Sequence, residues 1–159
     1  MDMPVTRIRT ATAADTSQLL RLWALLFDEV EDEDDSHAPT SWTRHAREWF
    51  ARLVDDEAAA RFPVIEIEGA VVATAIGTLE LGVPNPHCRR GRTVRLANVI
   101  TLPEHRGKGH GSLLVRDVVA WARSIGADRV DLSATPAGLR LYQRAGFELT
   151  RAPRMKLVL

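Results

Sequence analysis

Gly107, Gly109 and Gly111 fall within five positions, between an apolar run, Leu96 to Pro103, and a helical pattern that opens at Ser112. They impose a strand, a tight turn and a helix, in that order. Glycine enters backbone conformations closed to other residues and leaves no side chain over its own N–H. The helix adds its first unpaired N–H groups and the positive end of its dipole, so the junction forms a cradle for a phosphate-like dianion. Arg106 and Lys108 place full charges at the rim. Spacing excludes two familiar phosphate loops. A Walker loop needs four residues between its first glycine and a Gly-Lys-Ser/Thr, and that string is absent. A dinucleotide fingerprint needs glycine at the sixth position, which is Ser112, inside an early βαβ unit that the chain lacks.

Periodicity supplies the remaining elements. Val5 to Thr10 alternates as a half-buried strand does, and Asp15 can cap a helix to Val30 whose Leu19, Leu22, Trp23, Leu26 and Val30 share one face. A second helix fits Ser41 to Asp56, with Trp42, Ala46, Trp49, Phe50 and Leu53 on its apolar face. The runs Phe62 to Glu68 and Ala70 to Leu81 predict a hairpin turning at Glu68-Gly69, and Thr93 to Leu102 predicts a third long strand. From Ser112 a helix runs to a C-cap at Gly126. A short strand follows at Val130 to Ala134, then a helix opened by Pro136 and closed by Gly146. Phe147 to Leu149 and Met155 to Leu159 predict two more strands. The order is β-α-α-β-β-β-α-β-α-β-β, an α/β or α+β domain on pattern alone.

The string Arg106, Gly109, Gly111 resembles the acetyl-CoA loop of the GNAT superfamily of N-acetyltransferases, Arg/Gln-x-x-Gly-x-Gly/Ala. The lead-in Leu102-Pro103-Glu104-His105 is similar too, and Leu141 to Phe147 resembles a second signature of that family. The resemblance implies one domain over residues 1–159: a mixed, mostly antiparallel central sheet with helices on both faces and a cleft where two parallel strands splay. It implies acetyl-CoA as cofactor, with Arg106, Gly107, Lys108, Gly109, His110, Gly111 and Ser112 around the pyrophosphate. The main chain of Ile100, Thr101 and Leu102 would pair with the pantetheine arm. Tyr142 matches the residue that protonates the leaving thiolate, for which a phenol is suited. The general base comes from no fixed position in the family. Glu80 and Asn98 are the candidates here, although an amide can orient water or amine but takes no proton at neutral pH. Ala134 to Gly138 lacks the asparagine that many members set against the pantetheine.

Charge constrains the partners. Lys+Arg and Asp+Glu both total 21, which argues against nucleic acid or an anionic membrane as the partner. The acids are nevertheless concentrated, seven of them in the eight residues Asp28 to Asp35, a segment able to attract a cationic amine of a small molecule or peptide. Arg89, Arg90, Arg92 and Arg95 form an opposite cluster. A single cysteine excludes an internal disulfide framework, no His/Cys cluster has zinc spacing, and neither a signal core nor a membrane-length run is present, so the expected setting is the cytoplasm. The apolar C-terminal strand would be an edge suited to a homodimer. The leading expectation is an N-acetyltransferase acting on a primary amine in a ternary complex. A catalytically silent CoA-binding domain is the alternative.

Overall fold

A computed structural model describes residues 3–30 and 42–159 of the chain. The acids 31–35, His37 and the connection through Pro39 lie outside the described residues. Strand β1 (Thr6–Thr10) leads into helix α1 (Thr16–Val30), then α2 (Trp42–Leu53), β2 (Ala60–Arg61), β3 (Pro63–Ile67), β4 (Ala70–Leu81), β5 (Arg92–Thr101), α3 (His110–Ser124), β6 (Arg129–Asp131) and α4 (Leu139–Arg144). The sheet order is β1-β3-β4-β5-β6, with β2 beside the far half of β4. Every pairing is antiparallel except β5 with β6.

Alternation along β3, β4 and β5 sends apolar side chains to both faces of the sheet, and each face is covered. On one side α1 and α2 bury Leu19, Leu22, Trp23 and Phe50 against Phe62, Val64, Ile76 and Ile100. On the other, α3 buries Leu114, Val115, Val118 and Trp121 against Ile65, Ala73, Ala75, Val94 and Leu96. Burial of each large apolar side chain contributes roughly 1.5–3 kcal/mol. Gly77 lets α3 lie this close, since a Cβ there would stand 2.8 Å from Val118 and 3.1 Å from Trp121. Arg61 and Asp117 add a two-pronged ion pair, 2.8 and 3.1 Å, between β2 and α3. Helix α3 stops at Gly126, φ 73°, where Ala127 N–H donates to Ala122 O and Gly126 N–H to Arg123 O, closing the last turn.

The hairpin between β3 and β4 turns at Glu68 and Gly69, both at positive φ, as expected from their sequence. Three expectations change. Asp15 ends a 3-10 turn before α1, and its carboxylate accepts from Thr12 N and from both terminal nitrogens of Arg9; these bonds hold it below the usual carboxylate range. Pro136 does not open the last helix. A turn closed by Gly138 N to Thr135 O intervenes, and α4 begins at Leu139. The strands expected at 147–149 and 155–159 are absent, because a strand exists through its ladder and neither segment pairs with an edge. Met155, Leu157 and Val158 are left exposed. Among the described residues no helix is long and apolar enough to cross a membrane.

Candidate active site

Two features of β5 open the sheet. Its parallel partner β6 pairs with Thr93, Val94 and Arg95 and then departs, so among the described residues no strand pairs with that edge of residues 96–101, which is left free. On the other edge Ile76 faces Ala97 and Thr74 faces Ile100, which leaves Asn98 and Val99 together opposite Ala75. This is a β-bulge, with Asn98 at φ 50°, a left-handed conformation that asparagine tolerates better than most residues.

The three main-chain positions expected to meet a cofactor differ in what they offer. Leu102 N–H donates to Val72 O and Leu102 C=O accepts from His105 N, so both of its groups are engaged and Leu102 leaves the list of pairing residues. Antiparallel alternation then turns Ile100 toward β4 and Thr101 toward the free edge. Thr101 O accepts from Arg106 Nε at 2.9 Å, so Arg106 stitches the turn to the strand as well as bringing charge.

The turn itself is open. Gly107 and Gly109 sit at φ 76° and 83°, with no heavy atom within 4 Å of a Cβ built on either. Among the described residues no acceptor meets the N–H groups of residues 107–112; the first backbone bond past them is Leu113 N to Gly109 O. These amides, Ser112 included, gather at the positive end of α3. Lys108 is exposed at the rim. Gly111 has a second role, for a Cβ there would stand 3.1 Å from Leu141, so this glycine lets α4 pack on α3. His110 differs from its exposed neighbour Lys108. Its ring is buried, neither nitrogen has a partner among the described residues, and burial first, then His105 and Lys108, pushes its pKa down.

Tyr142 stands half-buried on α4, its ring edge-on to Phe147 at 6.0 Å. It shares a 510 Å³ groove with Arg95, Arg129 and Asp131; Arg95 and Asp131 are the last pair before β5 and β6 part. Burial raises the phenol pKa, keeping the proton on oxygen. Glu80 lies toward the other end of the sheet, opposite Thr93, 3.5 Å from Arg95 Nε and 54% exposed. The arginine cluster has largely structural employment. Arg92 donates to Ile125 O and Arg90 to Gly126 O, where α3 ends and cationic groups are favoured.

A further cavity of 440 Å³ lies on the α1 and α2 face of the sheet, lined by Trp23, Phe27, Trp42, His45 and Trp49 and, from the sheet, by Ile76, Thr78, Ala97 and Asn98. Sequence reasoning placed Trp23, Trp42 and Trp49 on the apolar faces of their helices and did not single out Phe27. The available signal was that three of the four tryptophans fall on α1 and α2.

A model of the acetyltransferase (GNAT) family matches residues 19–147. The uncharacterized N-acetyltransferase YobR of Bacillus subtilis (strain 168) is 38% identical over 55 residues, a stretch spanning 33% of this chain and 22% of that relative. Among solved structures, a protein from Clostridium acetobutylicum described as a predicted acetyltransferase, crystallised with acetyl-CoA, superposes with TM-score 0.81 at 20% identity, covering 97% of this chain and 96% of the other. The aminoglycoside N-acetyltransferase AAC(6')-Iy in complex with CoA gives TM-score 0.77 at 15% identity, covering 99% and 97%.

Proposed function

The chain belongs to the acetyltransferase (GNAT) family, and from that premise we propose that it moves an acetyl group from acetyl-CoA to a primary amine of a small molecule by direct attack within one ternary complex. The observation that carries this reading is the free edge of β5 running into a turn whose main-chain N–H groups have no partner among the described residues. Those two features fit the donor: a strand edge suits the amides of the pantetheine arm, and the open glycine positions leave room for a pyrophosphate. The donor supplies a thioester. The amine nitrogen forms the new C–N bond as the C–S bond breaks, the electron pair leaves with sulfur, and one proton passes from nitrogen to sulfur overall.

The chain's own residues divide this work. Amides of residues 107–112 hold the pyrophosphate, with Arg106 and Lys108 at its margin. Thr101 turns its main chain to the free edge and aligns the arm. Asn98, at the bulge, orients the amine or a water without taking its proton. Tyr142 stands where the two parallel strands part, and its phenol, kept protonated by burial, donates to sulfur. Glu80 shares a sheet face with Ile76 and Thr78, so it accepts the amine proton through water rather than by contact. The exposed apolar residues Met155, Leu157 and Val158 are the surface we assign to self-association.

Calorimetry with acetyl-CoA followed by thiol release over a panel of primary amines tests the assignment. Binding at micromolar to millimolar ligand and amine-dependent release are expected. Absence of heat at millimolar acetyl-CoA overturns the reading, and binding without release on any amine leaves a silent CoA-binding domain.

A further inference from the structure

The 440 Å³ cavity on the α1 and α2 face is built from aromatic side chains and meets the sheet at the bulge. Phe27 and Trp42 pack edge to face at 5.3 Å, and Trp23 and Trp49 at 6.2 Å. These pairs do not close the site. Phe27 remains 46% exposed, although an aromatic ring in a completed core would be covered. The sheet contributes Ala97 and Asn98 of β5, the same strand whose opposite edge is free for the acetyl donor. A molecule in this cavity therefore lies beside the strand on which transfer would occur.

The lining selects what such a molecule is. His45 is its only titratable side chain among the described residues, and none of the described lining residues carries a carboxylate, so those walls offer a polycation no counter-charge. The walls offer ring faces, ring edges and aliphatic surface instead, which favour a flat apolar group and tolerate a single amine through the ring quadrupole. The volume suits a small ligand. Trp23 contributes one unmet need, a buried indole N–H with no acceptor among the described residues, which an oxygen-bearing ring would satisfy.

We infer that this cavity is the acceptor pocket and that its substrate is an arylalkylamine, a primary amine on a short chain carrying one aromatic ring system. The inference rests on the acetyl-transfer reading above and adds to it the class of the acceptor. The aromatic side chains hold the ring, and the amine projects toward Asn98.

The test measures thiol release at saturating acetyl-CoA with 2-phenylethylamine, tyramine, tryptamine, n-butylamine and spermidine. The aryl amines are expected to show kcat/KM at least about tenfold above n-butylamine and spermidine, mostly through KM, since a tenfold preference corresponds to about 1.4 kcal/mol of ring contact. Trp42→Ala should reduce that preference about fivefold or more by raising the aryl KM. Phe27→Ala, at a more exposed position, reads the same contact should the tryptophan variant fail to fold. Equal use of all five amines, a preference for spermidine, or a preference untouched in both variants overturns the inference. Two further readouts separate this failure from failure of the acetyl-transfer reading. Heat of acetyl-CoA binding with no turnover of any aryl amine removes the pocket assignment alone. Without that heat the acetyl-transfer reading falls, and saturable quenching of tryptophan fluorescence by 2-phenylethylamine still decides whether the cavity takes an aryl amine.

Discussion

The glycine turn and the aromatic cavity flank the same strand and are built in opposite ways. The turn uses contiguous residues, 106–112, and presents main-chain N–H groups with the side chains of Gly107 and Gly109 missing by design. The cavity gathers residues from α1, α2, β4 and β5, between Trp23 and Asn98, and half of them are aromatic or histidine rings. A main-chain site depends on φ and is indifferent to most side-chain changes. A side-chain site depends on packing and tolerates little truncation. The first suits a ligand portion common to every turnover, and the second suits the portion that distinguishes one enzyme of this fold from another.

The largest effect is expected where the donor side relies on a side chain after all. Tyr142→Phe keeps the ring against Phe147 and removes the hydroxyl proposed to protonate sulfur, so kcat should drop about a hundredfold while calorimetry finds acetyl-CoA affinity little altered. Unchanged turnover would remove Tyr142 from the mechanism and leave the donor side purely main-chain. A smaller effect should follow from Gly109→Val. Holding an L-residue at φ 83° costs roughly 1–2 kcal/mol, so acetyl-CoA binding should weaken about five- to thirtyfold. Lys108→Ala, which alters only an exposed side chain, should change it by less than about threefold. A larger loss from Lys108→Ala than from Gly109→Val breaks the comparison, because the turn would then work through side-chain charge.

The smallest effect concerns His110, the one side chain of the turn that faces inward. Its buried ring favours the neutral form, whereas the unfolded chain titrates near the ordinary value of about 6.5. As pH falls below that value the unfolded state binds a proton that the folded state resists, so stability declines with acidity. His110→Leu removes this component. Urea denaturation at pH 7.5 and 5.5 should therefore find a smaller acid loss in the variant than in the unaltered chain. The same loss in both would mean that the ring is protonated without penalty.

The legible and illegible parts of the molecule divide along the same line. The turn was readable because φ requirements act residue by residue: Gly107, Gly109 and the C-cap Gly126 announce themselves without any tertiary neighbour. Gly111 was half-legible, since the contact its missing Cβ allows, with Leu141, depends on where α4 packs. The burial of His110 was illegible because whether a helix-end side chain points outward depends on what lies beneath it. The main chain of Thr101, turned away from β4, and the main chain of Leu102, whose N–H bonds to β4, look identical in sequence, and only the register with β4 separates them.

The sequence by itself determined the run of strands and helices through α3 apart from the two-residue β2, the glycine turn and the family, because hydrophobic period and glycine placement are local and additive. Tertiary structure alone decided the bulge at Asn98, the parting of β5 from β6, the unpaired C-terminal segment and the assembly of Trp23, Phe27, Trp42 and Trp49 around one cavity. Each of these depends on which distant residues become neighbours, and no single segment carries that information.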